Sequence, residues 1–179
     1  MVFASNDLRE EHEGVLAGLS ILERMGEAGN ANIEDAREIA EFFALFADKC
    51  HHGKEEGHLF PALEKAGIPK EHGPIGQMLA EHVLGRTFIS SLRLAAQGDG
   101  LDRAAFQQAA KGYVQLMRPH IEKENNVLFP MGDRMIPQEE QQRLLSAFEQ
   151  HEESVMGPGV HEHLHEVLHR LSEKYKLKK

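Results

Sequence analysis

The chain has no tryptophan, two tyrosines and one cysteine among its 179 residues. A lone thiol, Cys50, cannot close an internal disulfide, so no covalent staple is expected. Nowhere does the sequence run for roughly 18 apolar residues, which excludes a membrane-spanning helix. A long basic run is also missing and the formal charge is -9, so the phosphates of a nucleic acid would meet no positive surface. The opening stretch MVFASNDLREEHEG has neither the positive start nor the apolar core of a secretory leader. Together these absences predict a cytoplasmic protein with no nucleic-acid and no membrane partner. Histidine, by contrast, is in excess: there are twelve, spread from position 12 to position 169.

Signals for β-strands are almost absent, and clusters of glycine and proline divide the chain into six helical segments. The first, about Asn6 to Glu27, carries Leu8, His12, Val15, Leu16, Leu19, Leu22 and Met25 at spacings of three and four, the mark of a buried helical stripe. Asn32 is a candidate N-cap for the second segment, which runs to Leu63 with its last turns bent or frayed by Pro61. The third spans about Pro74 to Gln97. Asp102 is the candidate cap of the fourth, which ends near Met131. Pro137 suits the first turn of a fifth helix closed by the GPG at 157 to 159, and the sixth runs from Val160 to about Tyr175. The first four segments are long and read as two copies of a helical hairpin. The predicted fold is all-α: an antiparallel up-and-down four-helix bundle over residues 1–135, with a C-terminal helical extension over residues 136–179 packed on it.

The duplication is explicit. HHGKEEGHLFP at 51–61 and HIEKENNVLFP at 120–130 share a His, a Lys, a Glu four residues after the His, and a closing Leu-Phe-Pro. Each is preceded by a Glu-His pair, Glu11-His12 and Glu81-His82, at distances of 39 residues from His12 to His51 and 38 from His82 to His120. On a helix, residues four apart share a side, so His51 points with Glu55 and His120 with Glu124. A pseudo-twofold axis between the hairpins brings His12 and His82 to matched places. Four imidazoles and two carboxylates then converge in the bundle interior, where such groups demand a shared cation. A nitrogen and oxygen set without thiolate suits iron, with zinc or manganese as lesser alternatives, and two bridging carboxylates between His-rich halves suit a pair of ions. The expected cofactor is two non-heme iron ions bridged by carboxylates.

With its Glu-His pairs, its H-x-x-x-E-E-x-x-L-F-P and its second H-x-x-x-E with L-F-P, the chain resembles the HHE cation-binding family, the hemerythrin-like proteins, over residues 7 to about 131. The resemblance implies an up-and-down four-helix bundle around a di-iron site. By position its ligands are His12, His51, Glu55, His82, His120 and Glu124, with the two glutamates as bridges. The family's functions include binding dioxygen, sensing oxygen or iron, and handling nitric oxide or peroxide. This chain departs from the oxygen-carrying hemerythrins at two places. Their third helix carries two histidines four apart, where this one has Met78 and Arg86 on either side of His82, and their H-x-x-x-x-D is here H-x-x-x-E. The missing nitrogen leaves a position for water, an exogenous ligand or another side chain, which favours reaction over reversible carriage.

Several residues have two readings. His52 competes with His51, because His52 and Glu56 are also four apart, and the second copy favours the His51 register. His58 is either a partner of Glu55 or a solvated histidine, and Tyr113 either points its hydroxyl at a bound ligand or bonds the backbone as a core tyrosine. Arg86 either neutralises a carboxylate near the centre or pairs at the surface, and Cys50 is read as packing. His161, His165 and His169 form a row on the last helix. They are either its polar flank or, through His161 or His165, a cap on the open position, a role that Glu149 and Glu152 could share. The function expected is a di-iron protein that binds or reacts with dioxygen, hydrogen peroxide or nitric oxide. Whether it turns these over as an oxidoreductase stays open, and the alternative is an iron-sensing, storing or buffering protein.

Overall fold

A computed structural model describes residues 2–175, and among them every regular element is helical. Helix α1, Ala4–Ala28, stops at Gly29, which adopts the left-handed conformation (φ 64°) that glycine enters without a side-chain penalty. Asn32 then caps α2, Ile33–Phe42, its side-chain oxygen accepting the Asp35 N–H at 2.8 Å as the sequence suggests. The same rod continues in π-helical form over Phe43–His52 and Glu55–Leu59 and ends as α3, Phe60–Lys65. Helix α4, Pro74–Ala95, leads to α5, Arg103–Lys123, which Asp102 caps through the Ala105 N–H at 3.0 Å. A π turn, Glu124–Leu128, joins α5 to α6, Phe129–Met135; α7, Gln138–Met156, and α8, Val160–Lys174, follow.

The two π turns explain the repeated Leu-Phe-Pro. A proline inside an α-helix removes a donor and collides with the carbonyl four residues back. Here Pro61 and Pro130 each follow a turn in which the Phe60 N–H reaches the Glu55 carbonyl, and the Phe129 N–H the Glu124 carbonyl, five residues back. The widened turn makes room for the ring. Pro61 therefore does not fray the rod, which runs on as helix to Lys65. Both wide turns begin at the glutamates of the repeat, in keeping with the tendency of π segments to sit at functional sites.

The apolar core is split into two clusters by a polar layer. One holds Leu19, Leu22, Ile39, Phe42, Phe43, Leu92, Phe106 and Tyr113; the other holds Leu8, Phe60, Leu63, Ile75, Met78, Leu128, Phe129 and Phe148. Along α1 the chain passes from the second cluster to the first, and the rod over residues 33–65 passes back. Helix α4 goes from second to first and α5 with its π turn returns. Each crossing carries one or two histidines. Helix α7 contributes Leu144 and Phe148 to the second cluster, while α8 contributes Leu164, Val167, Leu168 and Leu171 to the first, so these two helices share both cores. Among the described residues no helix is long and apolar enough to cross a membrane.

Candidate metal centre

The polar layer consists of His12, His51, His52, Glu55, His82, His120 and Glu124, none more than 2% exposed. All six residues expected from the repeat meet there. Their donor atoms form two groups, each within 4.8 Å: His12, His51, Glu55 and Glu124 on one side, and His52, Glu55, His82 and His120 on the other. The glutamates lie between. Glu55 presents Oε1 to His51 Nε2 at 3.6 Å and Oε2 to His82 Nε2 at 3.3 Å, while Glu124 presents Oε2 to His12 at 3.3 Å and Oε1 to His120 at 3.3 Å.

Behind the ring stands a supporting layer that obeys the same twofold. Each His uses Nδ1 outward, leaving Nε2 facing the centre. His51 Nδ1–H donates to Glu11 and His120 Nδ1–H to Glu81, both at 2.8 Å. These acceptors are the residues before His12 and His82. His12 Nδ1–H donates to Asn125 Oδ1 and His82 Nδ1–H to Glu56 Oε1, again at 2.8 Å, and these follow Glu124 and Glu55. The repeated lysine completes the motif: Lys54 Nζ holds Glu11 at 2.7 Å, and Lys123 holds Glu81. Every shared letter of H-x-x-K-E thus has a task, the lysine being to fix the acid that orients a histidine. Such outward partners set tautomer and ring orientation in metal sites.

Electrostatics agree with a centre built for positive charge. Burial would push the His120 imidazole down, yet Glu124 and Glu81 carry it up to about 10. His51 and His82 likewise rise against burial, the first because of Glu55 and Glu11, the second because of Glu55 and Glu56. Burial raises the Glu124 carboxyl less than His120 and His12 lower it, so it stays below the usual range. Glu11 and Glu81 both end at about 2, because His51 and Lys54, and His120 and Lys123, outweigh burial.

His52 is where the sequence reading needs correction. His51 and His52 do not compete: both are buried in the layer. Residues 43–52 are π-helical, and the wider register brings consecutive side chains toward one face. His52 stacks on His82 with ring centroids 3.8 Å apart and directs Nδ1 toward Asp48 at 3.4 Å. Burial, with His82 and His120 close by, holds it well below its ordinary value, so it is a neutral imidazole with a free lone pair. The nitrogen missing from the third helix thus has a counterpart on the second. Its twofold mate is Ile121, so the two halves are unequal.

The other candidates fall outside the ring. Arg86 bonds Asp48 at 2.8 Å and Glu56 at 2.6 Å, tying together the acids behind His52 and His82 while 39% of its side chain meets solvent. Both readings of Arg86 hold in part. His58 does not touch Glu55 and packs instead by Phe148 and His151. The Tyr113 hydroxyl is buried with no hydrogen-bond partner, so it does not bond the backbone. Cys50 is buried and its thiol is pushed up to about 12 by burial; the adjoining acids Glu11 and Glu152 are bridged by Lys54. His161 and His165 lie beside Phe46, while Glu149 is exposed and Glu152 is turned to Lys54, so none of these four caps the centre.

Does a cation fit? All four carboxylate oxygens of Glu55 and Glu124 are buried without a hydrogen-bond partner. Buried carboxylate oxygens that face imidazoles at 3.3–3.6 Å yet accept no hydrogen bond cost free energy unless a cation completes them. The His12 and His51 Nε2 atoms stand 3.0 Å apart, and those of His82 and His120 3.2 Å. Two nitrogens at about 2.1 Å from one ion stand about 3.0–3.4 Å apart. The donor set fits.

Comparison with known proteins points the same way. Uncharacterized proteins of Mycobacterium bovis and of two Mycobacterium tuberculosis strains are each 28% identical over 168 residues, covering 87% of this chain and 64% of the relative. The chain therefore spans somewhat less than two thirds of the length of these relatives. No solved structure matches. The family model for the hemerythrin HHE cation binding domain matches residues 4–132. A buried His and Glu layer crossing that whole span, and the match itself, place the chain in the hemerythrin HHE family, whose domain binds metal cations, commonly iron.

Proposed function

We propose that the protein is a non-heme di-iron protein that binds or reacts with a small diatomic or peroxide ligand: dioxygen, hydrogen peroxide or nitric oxide. The observation that carries it is the set of four orphaned carboxylate oxygens lying between two groups of imidazoles. The alternating passage of the first four rods between the two apolar clusters supports an up-and-down antiparallel bundle over residues 1–135. On this reading residues 136–179 are an extension that covers it, and the acidic chain works in the cytoplasm without nucleic acid or membrane.

His12 and His51 would hold one ion, His82, His120 and His52 the other, and Glu55 and Glu124 would bridge them. When bound, two iron ions supply Lewis acidity and one-electron redox capacity to an incoming small ligand. The chain does the rest. Glu11, Glu81, Glu56 and Asn125 keep each Nδ1 protonated and each Nε2 free, and the apolar clusters on both sides exclude water. His52, Asp48 and Arg86 link the layer to the surface through polar contacts. Because His52 has no twofold mate, the His12 and His51 side has one imidazole fewer, and the exogenous ligand would bind there.

Protein produced with iron and analysed for metal, then scanned in absorption before and after addition of dioxygen, peroxide or nitric oxide, tests this. Two irons per chain and a ligand-dependent charge-transfer band are expected. Iron that exchanges freely with no spectral response to any of the three would favour iron storage or buffering, and a single zinc would overturn the di-iron reading.

A further inference from the structure

Helix α8 opens V-H-E-H-L-H-E-V-L-H, which contains two overlapping H-E-x-x-H patterns, from His161 to His165 and from His165 to His169. On a helix that spacing stacks two imidazoles on one face, the geometry by which such a pair chelates zinc. The apolar side of α8 is committed to the core through Leu164, Val167, Leu168 and Leu171. His161 is half-buried at the edge of that face and His165 is exposed one turn on. Their Nε2 atoms approach to 3.3 Å with the rings nearly perpendicular. That separation falls within the bite of one ion at about 2.1 Å from each nitrogen, and it matches the two histidine pairs of the buried layer. Phe46 packs against both rings, at 6.0 and 6.4 Å between centroids, and backs them from the protein side. On the open side, His161 borders a cavity of about 560 Å³ whose other polar lining includes Glu149, Glu152, Glu153 and Glu162.

We propose that His161 and His165 form a second, surface cation site for a divalent transition metal of borderline softness, zinc being the representative ion. It is separate from the buried centre. Two imidazoles provide the chelate, and the remaining positions face water and the acidic cavity, whose negative field concentrates cations. The i, i+4 pair on one helical turn needs little reordering on binding, because its two Nε2 atoms already stand 3.3 Å apart.

The test uses the full chain already loaded with iron, dialysed against a series of free zinc concentrations, with bound zinc and iron counted together. Wild-type protein should take up one zinc beyond its iron. His161→Ala and His165→Ala should each weaken that uptake by more than the roughly 10–100-fold lost when a merely supporting partner is removed. Their iron content and circular dichroism should match wild type. His163→Ala, an exposed histidine on the same turn, should retain the zinc. No zinc uptake by wild type, unchanged uptake in both alanine variants, or equal loss in His163→Ala would overturn the proposal.

Discussion

The lysine that both copies of the motif share should matter far more in the first copy than in the second. Lys54 is 1% exposed and its ammonium meets Asp7 at 3.1 Å, Glu11 at 2.7 Å and Glu152 at 3.1 Å. Replacing it by methionine keeps the stem but strands Glu11, which lies beneath it, and breaking a buried pair from one side costs about 3–5 kcal/mol. In a chain of this size that lowers the melting midpoint by about 6–20 °C. Lys123 serves Glu81 in the same way, but 36% of its side chain is exposed. A pair of that kind contributes about 0–1 kcal/mol. Urea unfolding of metal-free Lys54→Met and Lys123→Met, followed by circular dichroism, measures both. Equal losses would refute the reasoning, since they would mean that burial does not set the strength of these contacts.

Two further outcomes follow from the layer. In metal-free protein, Glu11 and Glu81 at about 2 contribute stability above the ordinary value of 4.5 that is lost as pH falls toward 2. His120, raised from 6.5 to about 10, contributes stability below 6.5 that is lost as pH rises through 10. The metal-free chain should therefore be most stable between about pH 4.5 and 6.5. With metal bound the alkaline loss should flatten, because the ion replaces the proton on His120; a matching series of urea midpoints with and without chelator reads this directly. For His52→Ala, metal titration should show one of two ions weakened by about tenfold or more while the other is unchanged. Equal weakening of both would contradict the inequality of the halves.

Much of this was legible in the residues. Asn32 and Asp102 declare their caps by type, the apolar period and the Gly/Pro clusters mark six helical segments, and the doubled Glu-His and H-x-x-K-E phrases locate the ring because a helix turns four-residue spacing into a shared face. What stayed hidden depends on departures from that rule. A hydrophobic period of three and four does not distinguish an α from a π turn, so the widened backbone at Phe43–His52 and the inward turn of His52 gave no signal. Leu-Phe-Pro was visible as a repeat, but its meaning lies in a hydrogen bond five residues back. Asn125 could be paired with Glu56 only once the twofold was drawn, since one bears charge and the other does not. His58, seven residues after His51, could be read as a partner of Glu55, and only the packing of α7 shows that it faces Phe148 instead.

Anomalous diffraction from crystals of the iron-loaded protein, recorded at the iron edge, examines the buried layer without an intermediary. Two peaks should appear between Glu55 and Glu124, one beside His12 and His51 and the other beside His82, His120 and His52. A single peak, or iron bound anywhere else while Glu55 and Glu124 face only water, would contradict the account.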